Sequence, residues 1–379
     1  MSNYSTKPIS RHETRTLFTK RNDLVIHRLK PFNAGASIAA LRRHQVTPQE
    51  MFFVRNHGSI PEIEPETYRL TIDGLVRKPL ALSLEDLQED FPGVRVMATL
   101  QCAGNRRKEL AAVEGIEGEI EWGGEGMGNA VWSGVRLRQI LLAAGVKPEA
   151  AHIAFTGLDD IEREDHTFSF GGSIPKEKAM SPEVILAYEM NGQPLTPAHG
   201  SPLRVIVPGY IGARNVKWVS NITVLSEPSD NYFQTQAYKL FPPDVRADNA
   251  DWSKGEMLGE QLINSMICSP ADGDYIADDV IVVEGLAIAG GGRTVDRVEV
   301  SADGGKTWQR AGLIDKSRPW VWQFWEAQLR VRPGAHQLVV RAWDSAGNTQ
   351  PEHPGEIWNF KGYLNNSWHR VKIRAGDID

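Results

Sequence analysis

The sequence predicts an α+β domain followed by an all-β sandwich of immunoglobulin type. Up to about residue 226 the chain mixes helical and strand patterns, whereas beyond about residue 263 short strands alternate with tight turns. At 379 residues the chain is long enough for two domains. We predict an N-terminal arm over residues 1–45, a first domain over 46–255 and a second domain over 256–379.

Helix signals mark three short segments of the first domain. Ser83-Leu84-Glu85-Asp86 fits a capping box, so a helix is expected to begin there. Leu137, Ile140 and Leu141 share one helical face, which Gly145 ends. A third helix is predicted over 181–192, because Pro182 suits a first helical turn and Gly192 suits the position after the last one.

Strand signals place the first cysteine of the chain. Residues 68–72 alternate like a strand, and 203–207 form an apolar run that ends in a turn. Apolar residues also alternate over 94–100, which predicts a strand with Cys102 just beyond its end.

The second domain shows a regular succession of short strands. Tight turns such as Asp303-Gly304-Gly305 and Ser345-Ala346-Gly347-Asn348 separate them, which is typical of a sandwich. Residues 242–259 are the predicted linker between the two domains. The predicted strands are 280–286, 295–301, 308–311, 320–326 and 337–343.

Composition excludes several classes of protein. The formal net charge of −6 argues against general nucleic-acid binding, and no apolar run is long enough to cross a membrane. The 2 cysteines, Cys102 and Cys268, cannot build a disulfide framework. Because residues 1–35 lack the apolar core of a signal peptide, we expect a cytoplasmic protein, or a periplasmic one if a leader has been removed.

Cys102 stands directly before a turn and two arginines, Arg106 and Arg107. Nearby positive charge stabilises a thiolate, which then serves as a nucleophile or as a ligand for a soft metal. Taken alone, a lone cysteine is more often a buried structural thiol. The rest of the sequence has to decide between these interpretations.

Three further groups of polar residues suit an anion. Arg55-Asn56-His57 follows a short apolar strand and offers a guanidinium fork with neutral donors. Glycine-rich turns over 199–217 would let backbone N–H groups approach a phosphate, which Arg204 and Lys217 would neutralise. The hydroxyl of Tyr238 is a candidate donor to an oxyanion. Each group taken alone is also compatible with an ordinary loop, turn or packed side chain.

Together these motifs resemble those of the sulfite oxidase family of molybdenum enzymes. The resemblance runs in the same order from about Met51 to Lys372. It rests on Phe53-Val54-Arg55-Asn56-His57, Leu100-Gln101-Cys102-Ala103-Gly104-Asn105-Arg106-Arg107, Gly128-Asn129-Ala130-Val131-Trp132, His199 with Arg204, Pro208-Gly209 through Val216-Lys217-Trp218, and Leu364-Asn365-Asn366-Ser367-Trp368-His369-Arg370.

The resemblance implies an α+β molybdopterin-binding domain of the sulfite oxidase fold, followed by an immunoglobulin-like dimerisation domain. It implies a homodimer and a cofactor of molybdenum with one molybdopterin, with Cys102 as the thiolate ligand of the metal. The chain lacks room for a haem or flavin domain, so electrons are expected to pass to a separate acceptor, either cytochrome c-like or oxygen.

The same resemblance assigns site residues. Arg55, Arg107 and Tyr238 match positions that line the substrate pocket, and Trp122 is a candidate for its wall. Lys361 stands where animal members have an arginine; it keeps the charge and loses the planar fork. The positions that match residues holding the pterin and its phosphate are Arg55, Asn56, His57, Asp159, His199, Arg204, Asn215, Val216 and Lys217.

The leading hypothesis is therefore oxidation of sulfite to sulfate. Nitrate reduction and sulfane dehydrogenation are alternatives, because related sites carry out both. Gln236-Ala237-Tyr238-Lys239 fits a sulfite enzyme better than a nitrate reductase. An alternative of a different class is a non-catalytic binding protein with an immunoglobulin-like module.

Overall fold

The computed structural model describes residues 19–163 and 166–376, so part of the predicted N-terminal arm lies outside the described residues.

The described residues before 256 contain most of the helices. Their helices are α1 (Ile38–Leu41), α2 (Leu84–Glu89), α3 (Arg107–Ala111), α4 (Leu137–Ala144), α5 (Lys176–Ala179) and α6 (Tyr232–Thr235), with 3₁₀ turns at Pro197–His199 and Gly212–Arg214. Their strands are β1 (Val25–Arg28), β2 (Asn33–Gly35), β3 (Leu70–Gly74), β4 (Leu80–Leu82), β5 (Gly93–Gln101), β6 (Met127–Arg136), β7 (His152–Arg163), β8 (His166–Pro175), β9 (Ile185–Met190), β10 (Gln193–Pro194), β11 (Arg204–Ile206) and β12 (Val219–Leu225).

Two sheets carry the first domain. One has the order β10-β9-β6-β5, with β11 also paired to β9, and the other has the order β4-β3-β12-β7-β8. Strand β12 runs parallel to β3, while its other neighbour β7 is antiparallel. The buried face of α4, with Leu137, Ile140 and Leu141, joins the core between the sheets.

Both capped helices of the first domain are confirmed. The Ser83 hydroxyl accepts from the Asp86 N–H at 3.0 Å and the Asp86 carboxylate accepts from the Ser83 N–H at 2.7 Å, which closes the capping box of α2. Gly145 ends α4 in the left-handed conformation, with φ of 70°.

The helix predicted over 181–192 is wrong, because this segment forms β9. Asn191 and Gly192 have φ angles of 57° and 76°, and Gln193 pairs directly back to Met190. An Asn-Gly pair with both φ angles positive is a tight hairpin turn, so Gly192 belongs to a hairpin and not to a helix end. Pairing with β6 and β11 on its two sides then fixes β9 as a buried strand.

The second region is the predicted sandwich. Its two sheets have the orders β15-β17-β21-β20 and β16-β23-β22-β18-β19, and Trp325, Val300 and Leu338 pack between them. Two short strands, β13 (Lys239–Leu240) and β14 (Glu256–Met257), precede it. Its strands are β15 (Asn264–Ser269), β16 (Tyr275–Ile276), β17 (Val280–Ile288), β18 (Val295–Ser301), β19 (Gln309–Arg310), β20 (Gly312–Leu313), β21 (Gln323–Arg330), β22 (Gly334–Asp344) and β23 (His369–Ala375), with a 3₁₀ turn at Pro354–Ile357.

The segment before residue 45 packs against both domains. β1 and β2 form an antiparallel hairpin, and Ala34 exchanges backbone hydrogen bonds with Val54. Phe32 and Leu41 share one apolar cluster with Leu286 of the sandwich. Across the part of the chain that the structure describes, no helix is long and apolar enough to cross a membrane.

Candidate active site

A cleft opens beyond the end of β5. It collects residues from segments far apart in the sequence. Its lining consists of Phe52, Phe53, Arg55, Asn56, His57, Leu100, Cys102, Ala103, Asp159, Phe170, Ala198, His199, Arg204, Gly212, Ala213, Asn215, Lys217, Trp218 and Tyr238.

Cys102 lines this cleft and directly follows β5, which is the position after a strand that the sequence predicted. Its N–H donates to the Gly126 carbonyl at 2.8 Å, and its own carbonyl accepts from the Asn105 N–H at 3.0 Å. Gly212 packs so closely that an added Cβ would lie 3.1 Å from the Gln101 carbonyl oxygen. The sulfur is therefore carried by a backbone that is fixed on several sides.

The two arginines after Cys102 have different surroundings. Arg106, with φ of 63°, is fully buried and binds both carboxylate oxygens of Glu109, at 2.8 and 2.6 Å. It also donates to the Asn264 side chain at 2.7 Å and to the Ser367 carbonyl at 2.9 Å. Arg106 thus braces the loop against the second domain and does not line the cleft.

Arg107 and Lys361 also lie outside the cleft lining. Arg107 donates to the carbonyls of Ile120 and Lys361 at 2.7 and 2.9 Å, and its guanidinium lies 5.4 Å from the ring of Tyr363. The Lys361 ammonium forms an ion pair with Glu119. The resemblance placed Arg107 and Lys361 at the substrate, whereas here both contact an acid that the sequence analysis did not single out.

Arg55, His57 and Tyr238 form a hydrogen-bonded group inside the cleft. Arg55 Nη2 lies 3.3 Å from His57 Nδ1, and His57 Nε2 lies 2.8 Å from the Tyr238 hydroxyl. Burial lowers the pKa of His57 well below its ordinary value, with Arg55 adding to the effect, so this imidazole is neutral. Because a guanidinium can only donate, Nδ1 accepts and Nε2 carries the proton.

The His57 tautomer orients Tyr238. Nε2–H donates to the phenol oxygen, which leaves the hydroxyl hydrogen of Tyr238 free to point elsewhere. Burial raises the pKa of Tyr238 to about 12, so the group is a protonated donor at neutral pH. The arrangement supplies one neutral donor and one guanidinium on the side of the cleft that holds Cys102.

The opposite end of the cleft is rich in buried cations. Lys217 contacts the Asn56 side chain and donates to the Ala198 carbonyl at 3.1 Å. Arg204 donates to the carbonyls of His199 and Asn215 at 2.9 and 3.2 Å, while its Nε has no partner within the described residues. Burial lowers the pKa of Lys217 well below its ordinary value and that of Arg204 to about 9.

Lys20, which the sequence analysis missed, supports His199 from outside the cleft lining. Its ammonium lies 2.5 Å from His199 Nε2 and donates to the carbonyls of Gln49 and Phe52 at 2.7 and 2.9 Å. Burial lowers the pKa of Lys20 to about 7. No local signal could have revealed it, because its partners are 29 to 179 residues away in the sequence.

Among the residues that line the cleft, Asp159 is the only acid. Burial raises its pKa to about 6, against the opposing effect of Lys217. One carboxylate does not balance Arg55, Arg204 and Lys217, which line the same cleft. Buried charge is costly unless it is paired, so the cleft is suited to a bound anion such as a phosphate group.

Of three further predicted site residues, Asn215 lines the cleft, whereas Val216 and Trp122 do not. The Val216 side chain packs into the core of the first domain. Asn215 holds the turn together, with its amide donating to Ile211 and its oxygen accepting from Val207. Trp122 is fully buried, 4.5 Å from the ring of His27, and does not line the cleft.

The metal-binding side chains near Cys102 determine which kind of metal cofactor the cleft can hold. Within residues 19–163 and 166–376, no three His, Cys, Asp or Glu side chains stand close enough to hold a metal ion among themselves. A metal at Cys102 therefore needs most of its ligands from a bound organic group. A molybdenum–molybdopterin cofactor meets this need, since its sulfur ligands and its phosphate match one thiolate and one cationic pocket.

Family models agree with this combination of fold and site. Residues 57–233 match the oxidoreductase molybdopterin binding domain, and residues 256–376 match the Mo-co oxidoreductase dimerisation domain. The chain thus has the two domains of a molybdopterin-dependent oxidoreductase.

Comparison with similar proteins shows which molybdopterin-dependent oxidoreductases this chain resembles. The chain is 42% identical over 361 residues to the mitochondrial sulfite oxidase of Macaca fascicularis, which covers 92% of this chain and 65% of that protein. It is 39% identical over 374 residues to the sulfite oxidase of Arabidopsis thaliana, which covers 93% and 94%. The crystal structure of the sulfane dehydrogenase SoxCD from Paracoccus pantotrophus matches with a TM-score of 0.78 and 28% identity, covering 98% of this chain and 94% of that one.

The chain belongs to the sulfite oxidase family. It spans about two thirds of the length of the animal relatives and nearly the full length of the plant enzyme. The predicted fold class and the expected molybdenum–molybdopterin cofactor are thereby confirmed.

Proposed function

We propose that this protein oxidises sulfite to sulfate at a molybdenum–molybdopterin cofactor held by Cys102. The observation that carries the proposal is the grouping of Cys102, Arg55 and the His57-oriented Tyr238 in one cationic cleft. The sulfite oxidases among the relatives support the choice of substrate.

The cofactor supplies the two-electron redox change and the oxygen transfer when it is bound. Sulfite gains one oxygen, which comes ultimately from water, and two electrons and two protons are released. Cys102 would hold the metal, and Lys217 and Arg204 would neutralise the phosphate of the pterin, while Lys20 would hold His199 in place. Asn56 contributes side-chain polar atoms beside Lys217.

The chain's own residues prepare the cleft for a small oxyanion. Arg55 provides positive charge and a planar pair of donors, and Tyr238 donates the hydroxyl hydrogen that His57 leaves free. Both groups are fixed before substrate arrives, so little reorganisation is needed when charge develops. Phe52, Phe53 and Phe170 line the same cleft and limit its hydration.

Steady-state turnover of metal-replete protein tests the proposal. Sulfite, nitrate and sulfoxides are offered in parallel, with ferricyanide, cytochrome c and oxygen as electron acceptors for sulfite. We expect sulfite turnover with at least one acceptor and a far lower rate with the other substrates. Turnover of nitrate with a reduced donor, and none of sulfite, would contradict the proposal.

Nitrate reduction remains a second candidate because of a specific similarity. The chain is 40% identical over 369 residues to the NAD(P)H nitrate reductase of Hordeum vulgare, of which it covers 41%. The segment around Tyr238 favours sulfite oxidation over nitrate reduction. The same turnover measurements distinguish the two activities. Sulfane dehydrogenation, suggested by the similarity to SoxCD, is tested by adding a thiosulfate-derived sulfane substrate to those measurements.

We also propose that the protein is a homodimer that passes electrons to a separate acceptor. The match of residues 256–376 to a dimerisation domain supports the dimer. A cytochrome c-like protein and oxygen are both candidate acceptors, and the cytoplasmic location stays a prediction. A non-catalytic binding role has lost its support, because the family consists of oxidoreductases.

A further inference from the structure

An acidic side chain lies between the two cations that the resemblance assigned to the substrate. Glu119 Oε1 contacts the Lys361 ammonium, and Glu119 Oε2 lies 3.6 Å from Arg107 Nη2. The side chains of Glu119, Lys361 and Arg107 are 16%, 24% and 2% exposed. The three charges therefore form one partly buried cluster, in which a single carboxylate faces two cations.

Arg107 has few donors left for anything else. Its Nε and Nη1 are taken by the backbone carbonyls of Lys361 and Ile120, and its Nη2 faces Glu119. Burial alone would raise the pKa of Glu119, but Arg107 and Lys361 outweigh that effect and hold its pKa below the ordinary value. The carboxylate is consequently ionised and occupies the cations as an oxyanion would.

One aromatic pair connects the cluster to the cleft. The guanidinium of Arg107 lies over the Tyr363 ring, and Tyr363 stacks on Tyr238 with ring centroids 5.2 Å apart. Tyr238 itself lines the cleft beside Cys102. The stacked rings of Tyr363 and Tyr238 thus separate the charged cluster from the cleft, in a region screened poorly by water.

We propose that Glu119 is a specificity-determining residue, which acts as an internal carboxylate competing with anionic substrate for Arg107 and Lys361. The inference rests on the proposed function, since it concerns affinity for a dianion at the same site. Glu119 reduces the positive charge available beside Tyr238. The affinity for doubly charged anions is therefore set by Glu119 as well as by the cations.

The principal test compares Glu119→Gln with Glu117→Gln in the holoenzyme. Glu119→Gln removes the charge and keeps the shape, whereas Glu117 is an exposed acid two positions earlier that controls for net charge. We expect Glu119→Gln to lower the KM for sulfite about fivefold at low ionic strength. We expect kcat to change by less than about twofold, and added salt to shrink the difference. Molybdenum content, measured by elemental analysis, should be the same in all samples.

Direct binding of sulfate separates this inference from the proposed function. Sulfate titrated into the wild type and into Glu119→Gln by calorimetry reports anion affinity without any turnover. Tighter sulfate binding by Glu119→Gln, and not by Glu117→Gln, supports the inference even for an enzyme that fails to oxidise sulfite. Equal affinities, or the same gain in both variants, would overturn it.

A second variant covers the case in which Glu119→Gln does not fold. Lys361→Met leaves Glu119 with Arg107 alone, so sulfate should bind several-fold more weakly. Unchanged sulfate affinity in Lys361→Met would also overturn the inference. Where both single variants fold, the effect of Glu119→Gln should be smaller in the Lys361→Met background, because the two side chains act through one ion pair.

Discussion

At the scale of single residues, the cleft combines one sulfur atom with buried cations that its single lining carboxylate, Asp159, does not balance. The sulfur end, with Cys102, Arg55 and Tyr238, is suited to a metal and a small oxyanion. The cationic end, with Lys217 and Arg204, is suited to a phosphate. A substitution at the sulfur end should affect the metal, whereas a substitution at the cationic end should affect how firmly the pterin phosphate is held.

Cys102→Ser should abolish turnover while the pterin still retains molybdenum, because serine replaces the only thiol that lines the cleft. Steady-state activity and elemental analysis measure the two quantities. Cys268→Ala is the matched control, since Cys268 is buried in a separate apolar cluster. Sulfite turnover at the wild-type rate in Cys102→Ser would contradict the assignment of this sulfur as the ligand.

Lys20→Met should weaken retention of the cofactor. Methionine keeps most of the length of the side chain and removes the ammonium that contacts His199 and the Phe52 carbonyl, so two residues that line the cleft lose a fixed partner. We expect a several-fold faster loss of molybdenum on prolonged dialysis, measured by elemental analysis. Arg21→Met is the control, because the neighbouring Arg21 forms an exposed pair with Asp23. Equal rates of loss in the two variants would exclude this role.

Sequence reasoning identified the site residues that stand in compact motifs. Cys102, Arg55 and His57 belong to such motifs, and the structure brings them together in the cleft. Lys20 and Glu119 were missed, because the contacts that suggest a role for each are with residues far away in the sequence. Their partners His199 and Lys361 are joined to them by folding and not by spacing.

At the scale of elements, local chemistry predicted some helices and strands and not others. The capping box at Ser83 and the glycine at 145 predicted α2 and α4 because both signals act within one turn. The segment 181–192 was misread because Pro182 and Gly192 suit a helix as well as a hairpin. The segment forms a strand because β9 pairs with β6 and β11, and no local sequence signal indicates that pairing.

Strand β23 makes stability depend on pH through its first residue, His369. The Ile267 N–H donates to His369 Nδ1 at 3.1 Å, and burial lowers the pKa of His369 to about 4. Since the ordinary pKa is about 6.5, the unfolded chain binds the proton first as pH falls. The stabilising contribution is present above pH 6.5 and is lost as the pH falls toward 4.

His369→Asn should therefore flatten the acid side of the stability profile. Asparagine keeps an acceptor for the Ile267 N–H and does not titrate. We expect the fall in Tm between pH 7 and pH 5 to be smaller in this variant than in the wild type, by a few degrees. His166→Asn is the control, because His166 is exposed at the start of β8. Parallel profiles for all three proteins would contradict the assignment.

At the scale of the whole molecule, the two domains and the N-terminal segment form a continuous structure. Phe32 and Leu41 of that segment pack with Leu286 of the sandwich, and Arg106 donates to Asn264 and Ser367. The Asn365 amide in turn donates to the Arg106 carbonyl at 2.9 Å. The loop that carries Cys102 is thus held from both domains.

The proposed homodimer predicts a particle with twice the mass of the chain. Light scattering coupled to gel filtration should give that mass across a range of micromolar concentrations, because a family dimerisation domain buries a stable interface. A mass that stays equal to one chain at every concentration would contradict the dimer. A mass that falls on dilution would measure how tightly the two copies associate.

The bracing of Arg106 has a consequence for how such a protein can be rearranged during evolution or in the laboratory. Fusions and domain swaps succeed when the parts exchange few buried contacts at their junction. Here a fully buried arginine, four residues from the sulfur, finds its partners in the second domain. A chimera that exchanged the sandwich would have to carry over Asn264, Asn365 and Ser367, so the two domains are inherited as one unit.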